Sequence, residues 1–413
     1  MLITDQVAFE AESSLDVAII GGGPGGSATA ISLREHAPSL SVVLIEASHY
    51  DGVRVGETLP PPARSILDHL KVWDKFCRLS PREVFGTSAA WGSTIPADND
   101  FFYMPANRGW HLERNSFDAM LAGEASERGA TVVLGASLDD FEQSGDGWRL
   151  SLSTGATLRA RFIVDATGAA VFARRLSARF ECLDRLVGIV RFFEGGAEDS
   201  RLLVEAFEHG WWYTAGLPNG KRIAACVTDA DLVQHLKLGL IDEWERTLAS
   251  VPAVASRLQQ CKPSGALVIR SSASRRLEPV AGENWLAVGD SASRFDPLSS
   301  QGILKAMRGG IFASYAISSR LLRDDDSDLC RYRCYVSEEF KSYCEVRTKY
   351  YRDEQRWPTS AFWRRRHSAN ITNRSANGAN ITNRSANGAK YNSQGQARSA
   401  SALGTNLNLT PQP

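Results

Sequence analysis

The sequence predicts an α/β protein: a doubly wound sheet carrying an inserted antiparallel β layer, with a helical segment at the C-terminal side. Three observations predict it. The apolar run DVAII at 16–20 is followed at once by GGGPGGS, a helical stretch, and a second apolar run, SVVLIE, ending at Glu46. Strand, glycine turn, helix and strand in that order open a doubly wound sheet. From about Leu186 to Arg275 the pattern turns mostly to strands, and NWLAVGD at 284–290 then returns to a buried strand before a long helix, QGILKAMRGGIFASYAISSRLL.

The elements follow in order. The first helix should run from about Gly25 to His36. GVRVGETLPPPA comes next, a Gly/Pro-rich loop whose prolines forbid regular structure until Arg64. ARSILDHLKVWDKF has helical periodicity. Between Phe85 and Pro105 the chain is aromatic and strand-like (FGTSAAWGS, DFFYMP). Helix returns over 115–128, with Asn115 or Ser116 as its N-cap, and alternating strands lead to RFIVDATG at 161–168. The inserted block contains LVGIVRFF, RLLVEAFE, GWWYTAGL, RIAACVTD and ALVIRSSA, with one amphipathic helix near 240–249. A helical piece then continues to about His367. This gives a discontinuous nucleotide-binding domain (1–82, 105–180 and 276–322), a substrate domain (83–104 and 181–275) and a C-terminal helical segment (323–367). Residues 368–413 read as a disordered low-complexity tail: ANITNRSANG at 369–378 repeats at 379–388, with too little apolar content to offset chain entropy.

The 413 residues are 43% hydrophobic and 23% charged, ordinary for a globular protein. Lys plus Arg and Asp plus Glu balance at 47 each, so no global field draws the chain to nucleic acid or an anionic membrane. The seven cysteines are scattered and form no CxxC pair, which argues against a metal site or a disulfide framework and for a reducing cytoplasm. MLITDQVAFEAESS lacks the cationic start and apolar core of a secretory signal, and no run reaches the roughly 18 apolar residues of a membrane span.

Three segments carry chemistry. In the first, Gly21 permits a tight turn, Gly23 lets a pyrophosphate approach the backbone, and Gly26 lets helix and strand pack closely. The helix N-terminus supplies free N–H groups and a favourable dipole for phosphates. Glu46, at the end of the second strand, suits a ribose diol and argues against a 2′-phosphate. The second segment is VDATG, with Asp165 and Gly168 at a strand end. The third is Gly289-Asp290 followed by Pro297-Leu298-Ser299-Ser300-Gln301-Gly302-Ile303 leading into the long helix. A carboxylate there can hold a sugar hydroxyl, and the helix N–H groups can stabilise the negative charge of a reduced flavin.

On these segments, together with GWHLERNSFDAML, the chain resembles the glutathione-reductase-like FAD monooxygenases, the group that includes aromatic hydroxylases and flavin-dependent halogenases. The likeness covers about residues 15–360. It implies a Rossmann-like FAD-binding domain of glutathione-reductase type. Glu46 would bind the adenosine ribose, Arg114 would lie along the FAD, Asp290 would hold its ribityl or ribose–phosphate region, and Pro297 to Ile303 would line the isoalloxazine. The loop GVRVGETLPP resembles the GE-S/T-x-P loop of the halogenase branch. Halogenases, however, place a lysine in the strand after this loop, where this chain has Thr87 and Ser88, and a glutamate where it has Ser299. The set VGETLPP, FGTSAAWGS, GWWYTAGLPNG, FDPLSSQGI and RDEQRWPTSAFWRRR looks closest to the LodB-, GoxB- and QhpG-like flavoproteins that mature cysteine tryptophylquinone enzymes. That likeness implies a monooxygenase in which NAD(P)H or another reductant reduces FAD and O₂ forms a C4a-hydroperoxide. It would oxygenate a tryptophan side chain of a precursor protein or peptide. Hydroxylation of a free small aromatic molecule, halogenation, and a flavin-bearing assembly partner without turnover are the other readings.

Arg54, Glu57 and Ser299 are the side chains expected beside the chemistry. Arg54 and Glu57 sit on a loop that should cross the flavin edge, where they steer substrate or form an ordinary ion pair. Trp211, Trp212, Tyr213 and Trp91 either wall an indole pocket or pack between sheet and helix. His111 and His209 are lone histidines, a type more often structural than catalytic. The basic, aromatic stretch at 351–366 is a solvated helix end or a dock for an acidic partner.

Overall fold

The computed structural model describes residues 3–4, 14–145, 147–196 and 199–368. The repeat-bearing tail from residue 369 and the reading of the N-terminal stretch as no secretory signal lie outside the described residues. Among these residues no helix is long and apolar enough to cross a membrane.

The first sheet sets six parallel strands side by side: Ile3–Thr4, Thr131–Leu134, Val42–Glu46, Ser14–Ile20, Thr157–Asp165 and Trp285–Ala287. Parallel strands covered on both faces carry continuous apolar runs, and Val17 to Ile20 and Val42 to Ile45 are all buried. Gly147–Leu152 and Leu138–Ser144 extend the sheet as an antiparallel meander from the first half of Thr157–Asp165. The helix Pro24–His36 packs against the long helix Gly302–Arg323. They approach closely at Gly310, where a Cβ would stand 2.4 Å from the Gly25 carbonyl oxygen.

The inserted layer is a seven-stranded sheet in the order Cys261–Ser271, Leu186–Gly195, Lys221–Asp229, Gly210–Gly216, Leu202–Phe207, Gly86–Ala90, Ala97–Asp100. It is antiparallel except where Leu202–Phe207 runs beside Gly86–Ala90. Side chains alternate across a strand, so the sheet has two apolar faces. One, with Ile189, Leu203, Trp212 and Cys226, is covered by the helices Ile241–Ala249 and Pro252–Leu258. The other, with Val190, Val204, Trp211, Ala225 and Val227, meets Tyr351, Phe362 and Trp363 of the C-terminal segment.

Several local expectations are corrected. ARSILDHLKVWDKF forms two short helices, Ala63–His69 and Trp73–Arg78, because Lys71 between them is left-handed at φ 55°. The proline-rich loop admits a two-residue strand, Thr58–Leu59, paired with Gly109–His111, and helix starts at Ala63. The helix Arg114–Glu127 is capped by Glu113, whose carboxylate accepts from the Asn115 and Ser116 N–H groups, rather than by Asn115 or Ser116. The inserted block holds two further short helices, Ala230–His235 and Pro252–Leu258. The stretch at 351–366 is neither a free helix end nor a bare basic patch. Phe362 and Trp363 are buried, Arg366 pairs with Asp229 at 2.8 Å, and Arg365 pairs with both Asp229 and Asp231.

Candidate active site

The two sheets face one another across a cavity of about 670 Å³, within the range of small-molecule and cofactor sites. Gly21, Gly23 and Gly25, at the start of Pro24–His36, form part of its wall, as do Gln301, Gly302 and Ile303 at the start of the long helix. Both helices therefore present unsatisfied N–H groups to the same space. Gly21 adopts φ +112°, and a Cβ there would meet the Ala166 carbonyl oxygen at 2.4 Å. A Cβ at Gly23 or Gly302 would meet nothing within 4 Å. These two glycines line the cavity, so their missing side chains leave room that a bound group can fill.

Glu46 ends its strand inside this wall and is almost fully committed. Its carboxylate accepts from the Gly22 N–H (2.8 Å), the Ser48 N–H (3.1 Å) and hydroxyl (2.6 Å), and Arg54 (2.8 Å). The Tyr50 hydroxyl donates to the Gly22 carbonyl at 2.9 Å, tying the glycine turn to the next strand. Arg54 does not pair with Glu57. Its second nitrogen bonds Asp118 at 2.8 Å, and Asp118 also holds Arg114 at 2.9 Å. Arg114 in turn donates to the Val55 and Gly56 carbonyls at 2.6 and 3.0 Å. This clamps the 52–58 loop against Arg114–Glu127. Asp118, completely buried, is the organising residue that sequence reasoning missed. Its i, i+4 spacing from Arg114 was the available signal.

Asp290 and Gly289 lie on the wall together with Gly168. Burial alone would raise the Asp290 carboxyl, but Lys305 and Arg294 beside it outweigh that and hold it below the ordinary carboxylate value. Arg294 bonds Asp290 at 2.9 Å and the Gly168 carbonyl at 2.9 Å, so it joins the second and third segments. Lys305 is buried, 3.6 Å from Asp290, and bonds the Gly289 and Ser293 carbonyls. Standing in the apolar run GILKAM, it gave no sequence signal.

Five expected site residues do not face the cavity. Asp165 is wholly enclosed and works as a hub: one oxygen accepts from the Phe172 and Ala173 N–H groups (2.9 and 3.0 Å), the other from Thr167 and the Ser291 hydroxyl. The Ser299 hydroxyl turns back to the Asp296 carbonyl at 2.8 Å. Trp212 falls on the opposite face of its strand from Trp211 and Tyr213 and packs against Trp244 with ring centroids 4.9 Å apart. Trp91 donates to the Tyr350 carbonyl and stacks edge-on with Tyr351 and Trp363. Gly26 is not on the wall either; a Cβ there would stand 2.0 Å from the Gly21 carbonyl oxygen, so its part is close packing. His111 is buried, its Nδ1 bonded to the Gly216 carbonyl at 2.8 Å, and burial lowers it to about 4.

Opposite the loop Pro297–Ile303, the cavity is roofed by the inner face of the seven-stranded sheet: Gly188, Val190, Ala225 and Val227, bordered by Trp211 and Tyr213. The Trp211 indole donates to the Tyr351 hydroxyl (3.1 Å), which donates to Asp296 (2.7 Å). Glu57 borders the same space. Burial raises its carboxyl to about 7 against the opposing charge of Arg114. Two phosphate-ready helix ends, open glycine positions and an apolar chamber beside them define the site of a dinucleotide-dependent oxidoreductase.

The tryptophan halogenase family model matches residues 16–82 and 83–400. The chain is 30% identical over 368 residues to the putative FAD-dependent oxidoreductase LodB of Marinomonas mediterranea, covering 86% of this chain and 97% of that protein. Among solved structures, the flavin-dependent halogenase CmlS superposes with a TM-score of 0.77 at 25% identity, covering 87% of this chain and 68% of its own. QhpG, described as a peptidyl tryptophan dihydroxylase essential for tryptophylquinone cofactor biogenesis, shares the fold with a TM-score of 0.70 at 22% identity, covering 86% of this chain and 79% of its own. The chain belongs to the tryptophan halogenase family of flavoproteins and is an FAD-dependent enzyme.

Proposed function

We propose that the protein is an FAD-dependent monooxygenase that hydroxylates a tryptophan side chain of a precursor protein during cysteine tryptophylquinone biogenesis. The observation that carries this reading is the chamber itself: an apolar sheet face of Gly188, Val190, Ala225 and Val227, edged by Trp211 and Tyr213, set over the loop Pro297–Ile303. An aromatic ring of indole size suits such a face, and aromatic edges orient it. Likeness to LodB and to QhpG supports the choice of substrate class.

In this reading the backbone N–H groups of Gly23 and Gly25 would bind the pyrophosphate of FAD, Glu46 and Asp290 would hold its sugar hydroxyls, and the helix N-terminus at Gln301 to Ile303 would stabilise negative charge on the reduced ring. Arg54 and Arg114, fixed by Asp118, hold the 52–58 loop over the site. When bound and reduced by NAD(P)H or another reductant, FAD would supply the activation of O₂, with one oxygen atom entering the ring and the other leaving as water. The side chains exclude bulk water, orient the ring and manage its protons. No nucleophilic side chain is required.

Halogenation fits less well. Strand Gly86–Ala90 carries Thr87 and Ser88 and no lysine, and Lys305 is buried behind Asp290 rather than on the chamber wall. The test is mass spectrometry of a tryptophan-bearing precursor incubated with the FAD-loaded protein, NADH or NADPH, and air. The expected result is a gain of oxygen localised to tryptophan. Flavin turnover that leaves the precursor's mass unchanged, or a gain of halogen, would refute the proposal.

A further inference from the structure

Glu57 is a carboxyl without an ordinary reason to be where it is. It borders the cavity but is only 4% exposed, and its Oε1 accepts no hydrogen bond among the described residues. Leaving a buried acceptor unsatisfied costs on the order of 1–3 kcal/mol, so a structure retains one chiefly where something else supplies the donor. The nearest cation does not. Arg114 acts on Glu57 through its charge, but its N–H groups go to Val55, Gly56 and Asp118. Arg54, three positions earlier, is taken by Glu46 and Asp118. Tyr213 lines the same cavity, close enough for the Glu57 charge to bear on its phenol.

The missing partner is therefore a donor arriving with the cavity's occupant, on the side where the loop meets the aromatic edge of the roof. FAD carries donors of its own, in its N3–H and hydroxyls, which the FAD affinities below would reveal, but a reduced, electron-rich flavin ring repels a carboxylate. An indole is the opposite case, because its polar atom is a donor and nothing else. We propose that the Glu57 carboxyl accepts the ring N–H of the substrate indole, and so fixes which edge of the ring is presented to the flavin. This rests on the substrate class proposed above. It also gives the ring a reason to be reactive: a carboxylate drawing on the N–H leaves more electron density on the carbons that take up oxygen.

The test uses binding rather than turnover. At pH 8.5, where the Glu57 carboxyl is ionised, FAD-loaded wild-type protein is titrated with N-acetyltryptophanamide and with its 1-methyl counterpart, which cannot donate, following the perturbation of the oxidised flavin absorbance. Glu57→Leu and Glu57→Gln are treated alike, and FAD affinity is measured for all three proteins. A hydrogen bond to a charged group is worth about tenfold to a hundredfold in affinity. The wild type should prefer the unmethylated compound by about that factor, Glu57→Gln by less, and Glu57→Leu not at all. If Glu57→Leu keeps the wild-type preference, the methyl group acts by bulk alone and the proposal falls. It falls equally if the variant instead loses FAD affinity by that factor, since the carboxyl then serves the cofactor. If wild type binds neither compound, the substrate reading fails and takes the proposal with it.

Discussion

Asp165 offers the sharpest test of how the cavity-side loops are held. Its carboxylate accepts from two helix-start N–H groups, Phe172 and Ala173, and from the Thr167 and Ser291 hydroxyls, with no exposed surface. Removing it with Asp165→Ala leaves two buried backbone donors unpaired. Hydroxyls can turn to other acceptors, but the amides cannot. At about 1–3 kcal/mol for each orphaned amide, the loss should be about 4 kcal/mol. Asp165→Asn keeps one acceptor oxygen for the amides and turns its NH₂ toward the hydroxyls, and should lose only about 1–2 kcal/mol. Urea denaturation of the FAD-free proteins, followed by tryptophan fluorescence, reads both values. FAD affinity should fall in the same order, because Ser291 couples this hub to the Gly289–Asp290 turn. If both variants unfold within about 1 kcal/mol of wild type, the hub carries no such load.

Three further predictions concern the glycine turn, Glu57 and the tryptophan pair. Gly21→Ala should destabilise the fold outright, since its Cβ would collide with Ala166 at φ +112°, whereas Gly23→Ala should leave the urea midpoint unchanged and weaken FAD binding at least about tenfold; equal midpoints for the two variants would contradict this. Glu57, raised from 4.5 to about 7 by burial, contributes stability that is complete below pH 4.5 and lost as pH rises through 7. The FAD-free Glu57→Gln variant, neutral throughout, should thus gain on wild type by roughly 3 kcal/mol between pH 4.5 and pH 8.5, and a flat difference in unfolding free energy across that range would contradict the argument. Trp212→Ala should cost about 3–5 kcal/mol in stability and leave any bound indole's affinity unchanged, while Trp211→Ala should lower that affinity; a loss of indole affinity in the Trp212 variant would refute the assignment of faces.

The sequence carried the fold well where local chemistry and tertiary role agree. A buried parallel strand must be apolar throughout, and a glycine turn that opens a helix must be spaced as it is, so DVAII and GGGPGGS are legible from the sequence alone. Strand alternation is equally legible, yet the sequence reading leaves open whether Trp211, Trp212 and Tyr213 line a pocket or pack between layers. Their neighbourhood in sequence hid that Trp212 must point away from the other two. Asp165 shows a different difficulty: a strand-end carboxylate reads the same whether it faces a ligand or caps the next helix start, and only its partners decide. Lys305 and Tyr351 were invisible because their partners lie in other segments, and no spacing along the chain announces a contact between helix and turn.

The roof over the site is an unadorned strand surface whose residues at Gly188, Ala225 and Val227 hang from backbone that is hydrogen-bonded into the sheet on either side. Side-chain size at those positions can change without moving any strand, since the ladder does not depend on it. Exchanging a methyl group at those positions therefore reshapes the chamber while leaving the glycine turn and the helix ends below untouched.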